Sequence, residues 1–449
     1  MKKLLTILAL LTITSAGLAQ GESTLYRTIK ENYETKADSM VNAFIESFMV
    51  KNKGYFNDMY QKYAFNAYWT QAHAMDVIVY CYERHKQDNT ALANKYKSYM
   101  SLWYNNKANN YAGASTSDGT YRMFENPFTD DMCWITLTLM HMYEATKITK
   151  YSTAAKGIFD NYIIKRAKED EETGGLWLPW NTDAGSGPNA CTQSPATLIA
   201  AKLYQRYGTA KYLEYAKKLY AYTANKIVKA DYRVEEPPLT YTQGTFAEAC
   251  RILYHVTDES ASIKNKYKNF AYQYINYAFT SDRCTNGANI LRHEGTSGDQ
   301  SIFKAVLIPY AVNFVLDTEM TTSYRKSIAD LIQKNTKELC SHLNWDRYPI
   351  VFCNFDWTKP WTGEDKDASM GAMCSGASLL ENTARMQKNI IENYQDYQDG
   401  IENIPTVEES QDTYAVYTID GCMVRAPWQG TKNLPKGMYV INKRKVLIR

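Results

Sequence analysis

The chain has 449 residues, with 51 lysines and arginines against 48 acidic residues and a formal charge of +3. Its basic residues are dispersed, which argues against a nucleic-acid surface, and its six histidines include no pair at metal-ligand spacing. Nine cysteines without a Cys-x-x-Cys pair make no disulfide scaffold, and Cys81, Cys133 and Cys250 sit in apolar helical runs where a thiol acts as a small hydrophobe.

The chain opens MKKLLTILALLTITSAGLAQ, two lysines followed by a short apolar core and small residues. This reads as an export signal over residues 1–19, cleaved after Ala19 and too short to span a bilayer. No later segment is long and apolar enough to cross one, so no integral membrane segment is expected. The mature chain is expected to be secreted or periplasmic, or held at the cell surface, and to act as a monomer.

Residues 20–390 carry a repeated pattern. VYCYERHKQDNTALANKYKSYM, LMHMYEATKITKYSTAAKGIF, KLYQRYGTAKYLEYAKKLY and ILYHVTDESASIKNKYKNF each end one helix on an aromatic, turn, and start an amphipathic helix. A weaker copy begins NFVLDTEM. The aromatic anchors Tyr82, Tyr143, Tyr204, Tyr254 and Phe314 recur roughly every 50 to 60 residues, the mark of stacked helical hairpins. In each hairpin the first helix is apolar nearly all round, as in MCWITLTLMHMY and FKAVLIPYAVNFV, and the second has a polar face. Fully apolar helices are buried on every side, so the inner helices must enclose one another. With GAMCSGASLLENTARM as the sixth, the chain is expected to be all-α, an (α/α)6 barrel.

That architecture gathers the six inner-helix N-termini at one rim. There the sequence places NAYWTQAHAMD around Trp69, FTDD around Asp131, PNACTQSP around Gln193, TYTQGTF around Gln243, HEGTSGDQ around Asp299 and AMCSG around Ser375. Carboxylates, amides and aromatics over one depression suit a carbohydrate cleft. Of the 37 tyrosines and 9 tryptophans, most are expected to pack helices. Trp69 and Trp134 are candidates to stack sugars, as are Trp177 and Trp180 in the GGLWLPWN loop. Gln193, Tyr241 and Gln243 are candidates for substrate binding, and so are Glu294, Asp299 and Gln300, a polar cluster that equally fits a helix cap. Lys304, on an otherwise apolar helix, is expected to pair with a rim acid.

Asp130 and Asp131 stand against an apolar run. One of them suffices to cap a helix. The second adds repulsion, and repulsion with partial burial is how a carboxyl is kept protonated for general-acid work. Glycoside hydrolysis uses two carboxyls, near 5 Å apart for retention and roughly 6.5–9.5 Å apart for inversion. Adjacent residues fit either spacing, so capping and both stereochemistries stay open at this level.

TDDMCW, GGLWLPWN, SPATLIAAKLY followed by KYLEYAKKLY, YTQGTF, EGTSGDQSIFK and CNFDWTKPW together resemble glycoside hydrolase family 76, the α-1,6-mannanases, over residues 60 to 385. The resemblance implies an (α/α)6 barrel that hydrolyses α-1,6-linked mannan or manno-oligosaccharides with retention. Asp130 is then the nucleophile and Asp131 the general acid/base, with no cofactor and no metal. Thr242 stands where the family carries an asparagine, Ala305 where it carries a glycine, and the loop before Gln193 lacks an expected lysine and asparagine. These departures bear on fine specificity. Transfer to a sugar acceptor on the same dyad, and glycan binding without catalysis, are the alternative readings.

After a polar linker over 391–412, residues 413–449 alternate apolar and polar and read as short strands. They resemble the C-terminal sorting segments of exported Bacteroidetes proteins.

Overall fold

The computed structural model describes residues 21–61, 68–107, 124–235 and 237–402, with 416–418, 423–425, 434, 437–441 and 444–448 in the tail. The expected export signal over 1–19 and residues 403–412 of the expected linker lie outside the described residues. Two compact units divide the chain: Arg27–Lys388, and Met1–Tyr26 with Asn389–Arg449.

The first unit is a double ring of helices. Its inner helices are α2 (Tyr68–His85), α4 (Thr129–Thr146), α6 (Ala190–Tyr207), α8 (Thr240–Val256), α10 (Phe303–Leu316) and the first part of α12 (Met370–Glu402). Outer helices α1 (Glu34–Phe48), α3 (Thr90–Lys107), α5 (Thr149–Ile158), α7 (Ala210–Tyr222), α9 (Ala261–Thr280) and α11 (Thr322–Ser341) run between them. Neighbouring inner helices pack in the order α2, α4, α6, α8, α10, and each of these five also packs on the outer helix that follows it. The ring closes through α12. Ser375 and Ser378 donate to the carbonyls of Ser301 (2.7 Å) and Ala305 (2.9 Å) beside α10, while Glu381 takes the Arg84 guanidinium of α2. The chain is an (α/α)6 barrel.

Inner helices tolerate polar residues because the hydroxyls turn back on their own backbone. Thr136, Thr197 and Thr245 each donate to the carbonyl four residues earlier, so these three hydroxyls are bonded within the core. Gly244 lets α8 approach α10: a Cβ there would lie 2.8 Å from the Leu307 Cα. Inner helices α4 and α6 stop at left-handed residues, Lys147 and Gly208.

Two small hairpins interrupt the helices, β1 (Met49–Val50) with β2 (Tyr55–Phe56) and β3 (Lys168–Asp170) with β4 (Gly175–Trp177). The helical periodicity gave no sign of them, since strands of two or three residues are too short to set a period. In the second unit, β5 (Val416–Thr418), β6 (Met423–Arg425), β7 (Gly437–Ile441) and β8 (Arg444–Ile448) form an antiparallel sheet in the order β6-β5-β7-β8. Val416, Leu434 and Tyr439 are its buried apolar centre.

Candidate active site

Phe128 has an extended backbone after a bend at Pro127, and α4 starts at Thr129. The N-cap residue Phe128 has no side chain able to cap, and the first helical N–H is taken from outside: Thr129 N donates to the Trp180 carbonyl at 2.8 Å. Asp130 Oδ1 accepts the Asp131 N–H at 3.0 Å. The two carboxyls otherwise have separate donors. The Cys191 thiol reaches Asp130 Oδ2 at 3.3 Å, and the Asn126 amide reaches Asp131 Oδ2 at 2.7 Å. Burial raises the Asp130 carboxyl above the usual carboxylate range, and the nearby Asp299 charge adds to that; the thiol and the backbone N–H groups oppose it.

Both acids line a pocket of about 150 Å³ at the inner-helix N-termini, together with Trp69, Trp134, Cys191, Tyr241, Asp299 and Phe303. Its aromatic floor, Trp69, Trp134, Tyr241 and Phe303, closes with the buried His73, which does not line the pocket, into a cycle of five rings from four helices. Trp69 meets His73 (5.4 Å between centroids), His73 meets Trp134 (5.1 Å), and Trp134 meets Tyr241 (5.8 Å). Tyr241 stacks on Phe303 at 4.3 Å, and Phe303 returns to Trp69 at 5.8 Å. An apolar floor beneath polar walls fits a sugar, whose ring faces are apolar and whose edges are hydroxylated. Asp299 accepts from the Trp69 indole N–H at 2.8 Å, fixing that ring at the rim.

The remaining candidates divide. Trp180 is exposed beside the acids and stacks on exposed Phe128 with centroids 5.7 Å apart. Trp177 ends β4, where Lys168 lies over its ring at 4.8 Å. Gln193 and Gln243 are wholly buried. The Gln193 amide donates to the Leu178 carbonyl at 3.3 Å. Gln243 accepts from the Val234 N–H at 2.7 Å and donates to the Tyr232 carbonyl at 3.2 Å. Each ties down the loop leading to an inner helix and does not line the pocket.

Glu294 is a cap, supplied from the loop before the next hairpin: it takes the Thr240 N–H at 2.7 Å and the Thr240 hydroxyl. Glu235 serves α6 in the same way through Ala190 N at 2.8 Å. Burial pushes Glu294 up to about 7. Gln300 is exposed and accepts from the Ser297 hydroxyl at 3.2 Å. Lys304 corrects the expectation of a paired rim acid. Its ammonium donates to the Phe355 carbonyl at 2.8 Å and lies 3.9 Å over the Trp357 ring, with burial lowering it to about 7 against the pull of Glu294 and Asp356.

The sequence reading passed over His73, Cys191 and Phe303. His73 follows Trp69 by one helical turn and Phe303 opens α10, so both were visible as rim positions. Cys191 opens α6 in the loop whose departure from the family was noted. A wider cavity of about 590 Å³ lies at the C-terminal ends of the inner helices, but its cations are already paired, Lys202 with Glu144 and Arg251 with Glu248 and Asp317. Among the described residues no group of three side chains is disposed to hold a metal ion, and no helix is long and apolar enough to cross a membrane.

The family model of glycosyl hydrolase family 76 matches residues 28–394. No curated protein matches. Among solved structures, the α-1,6-mannanase GH76A of Salegentibacter sp. HEL1_6 is similar at 22% identity and a TM-score of 0.66, over 79% of this chain and 100% of that one. An inactive variant of that enzyme, with two consecutive aspartates replaced by alanine, was solved with α-1,6-mannotetrose. The family 76 mannosidase Bt3792 of Bacteroides thetaiotaomicron is similar at 18% identity and a TM-score of 0.60, over 81% of this chain and 99% of that one.

Proposed function

The chain belongs to glycosyl hydrolase family 76, and on that premise we propose that it is an endo-acting, retaining α-1,6-mannanase working through Asp130 and Asp131. The observation that carries this reading is that both carboxyls open into one aromatic-floored pocket with different hydrogen-bond donors. In the Salegentibacter enzyme, replacing two consecutive aspartates gives an inactive protein that still holds α-1,6-mannotetrose, which supports a dyad separable from binding.

In the proposed reaction Asp130 attacks the anomeric carbon and Asp131 gives its proton to the departing O6, leaving a mannosyl ester on Asp130. Asp131, now ionised, takes a proton from water as that water attacks the same carbon, and Asp130 leaves as the carboxylate. Burial opposes an ionised Asp130; the Cys191 thiol, the Asp131 N–H and the positive charge developing on the sugar favour it. Residues 1–19 support export of the enzyme to where such a polymer is met.

The test is product analysis on debranched α-mannan, with wild type beside D130N and D131N. Ladders of α-manno-oligosaccharides with retained configuration, lost in both variants, are expected. Azide divides the roles: with an activated mannoside it restores D130N with an inverted mannosyl azide and D131N with a retained one. An uncleaved mannan backbone would sink the reading, and oligosaccharides longer than the substrate would turn it to glycan transfer.

A further inference from the structure

Arg166 lies in the 3-10 turn Ile164–Arg166, beyond the outer helix of the second hairpin and outside the pocket. All three of its described hydrogen bonds go to the segment leading into the acid pair. Nη1 donates to the Pro127 carbonyl (2.8 Å) and the Thr129 hydroxyl (3.0 Å), and Nη2 donates to the Asn126 carbonyl (2.8 Å). Irregular backbone before a helix start has carbonyls that no helix or sheet satisfies. One planar fork reaches two of them and the adjacent hydroxyl at once, which a lysine ammonium on a flexible stem does not reproduce.

Asn126 relays that hold. Its side chain is buried, its Oδ1 accepts the Phe128 N–H at 3.0 Å, and its Nδ2 donates to Asp131 Oδ2 at 2.7 Å. From guanidinium to carboxylate the path is therefore two hydrogen-bonded steps, Arg166 to the Asn126 backbone and the Asn126 amide to Asp131. Resting on the mannanase reading above, we propose that Arg166 is a positioning residue of the active site: it fixes Asn126, and through it the orientation and proton affinity of Asp131.

The experiment compares R166K and R166A with wild type on debranched α-1,6-mannan, reading kcat, KM, the pH profile and the melting curve. Expected for both is a kcat about 10- to 100-fold lower, the size of effect that roughly 1 Å of misplacement brings. KM should stay within about twofold, because no pocket residue is removed. The alkaline limb, which reports the acid/base, should move, and guanidinium ions in solution should restore part of the kcat of R166A and none of wild type. Folded variants with unchanged kcat and pH profile overturn the proposal. So does a loss shared equally by kcat and the folded fraction and unmoved by guanidinium, which marks a purely structural arginine. If R166A does not fold, R166K is judged by the same kcat and pH criteria. If wild type itself cleaves no mannan, the mannanase reading fails by itself. The titration of Asp131, followed by carboxyl carbon NMR in wild type and R166K, then decides: a shifted curve supports the proposal and an unshifted one overturns it.

Discussion

The Cys191 thiol donates to Asp130 Oδ2 across 3.3 Å, from the first turn of α6 to the first turn of α4. A thiol is a weak donor, yet here it favours the ionised form of a carboxyl that burial pushes toward protonation. C191A removes that help, so Asp130 should hold its proton to higher pH and the acid limb of kcat/KM should move up. C191S, a stronger donor, should move it down. Identical acid limbs in all three proteins would detach Cys191 from the chemistry.

Trp180 and Phe128 form an exposed aromatic pair two residues from Asp130. A sugar ring stacked there would extend the site beyond the pocket. W180A should lower kcat/KM on mannan chains by about tenfold, the equivalent of about 1.4 kcal/mol. Hydrolysis of a short aryl mannoside should change little, because it does not reach the pair. Equal losses on both substrates would place Trp180 in the scaffold.

Glu294 is pushed up to about 7 and the buried Lys304 is lowered to about 7. Between about pH 4.3, where a free glutamate ionises, and pH 7, the folded chain holds a proton on Glu294 that the unfolded chain has lost. Stability from this group therefore falls as pH rises across that window. Lys304 acts on the other side of neutrality: from about pH 7 to about 10.4 the unfolded chain holds the extra proton, and stability rises with pH. E294Q should flatten the acid-side slope of a melting-temperature profile, and K304M the alkaline-side slope. A wild-type profile without a dip near neutrality would contradict both assignments.

Arg84 and Glu381 join α2 to α12 inside the barrel, Nε to Oε1 at 2.7 Å and Nη2 to Oε2 at 2.8 Å. Neither side chain reaches water, so removing Arg84 strands the buried Glu381 charge, at a cost of about 3–5 kcal/mol, whereas without Glu381 the guanidinium keeps Asp38 as a partner. R84M should show that loss in urea unfolding and E381Q a smaller one, with kcat unchanged in the protein that remains folded. The double variant should be more stable than R84M.

Much of the barrel was legible in the sequence. Inner helices such as FKAVLIPYAVNFV have no polar face and so must be enclosed, and the recurring aromatic anchors set the hairpin length. The same periodicity put Trp69, Asp130, Asp131, Tyr241 and Asp299 at one rim, where all five line the pocket. Sequence position could not tell which rim residues face inward. Gln193 and Gln243 begin inner helices like Asp130 and Tyr241, but their amides turn back to satisfy loop backbone.

What the sequence determined by itself is the six inner helices and the outer helix that follows each of the first five, because hydrophobic period and helix ends are local properties of the chain. What only the tertiary structure decided is the partner of each polar group at the rim. The α4 N-terminus is served by the Trp180 carbonyl, α8 by Glu294, Asp130 by Cys191 and Asp131 by Asn126 held from Arg166. These partners lie between 5 and 61 residues apart along the chain, most of them in a different hairpin. A buried polar atom must be bonded by whatever group the ring brings within about 3 Å, and no local pattern records which group that is.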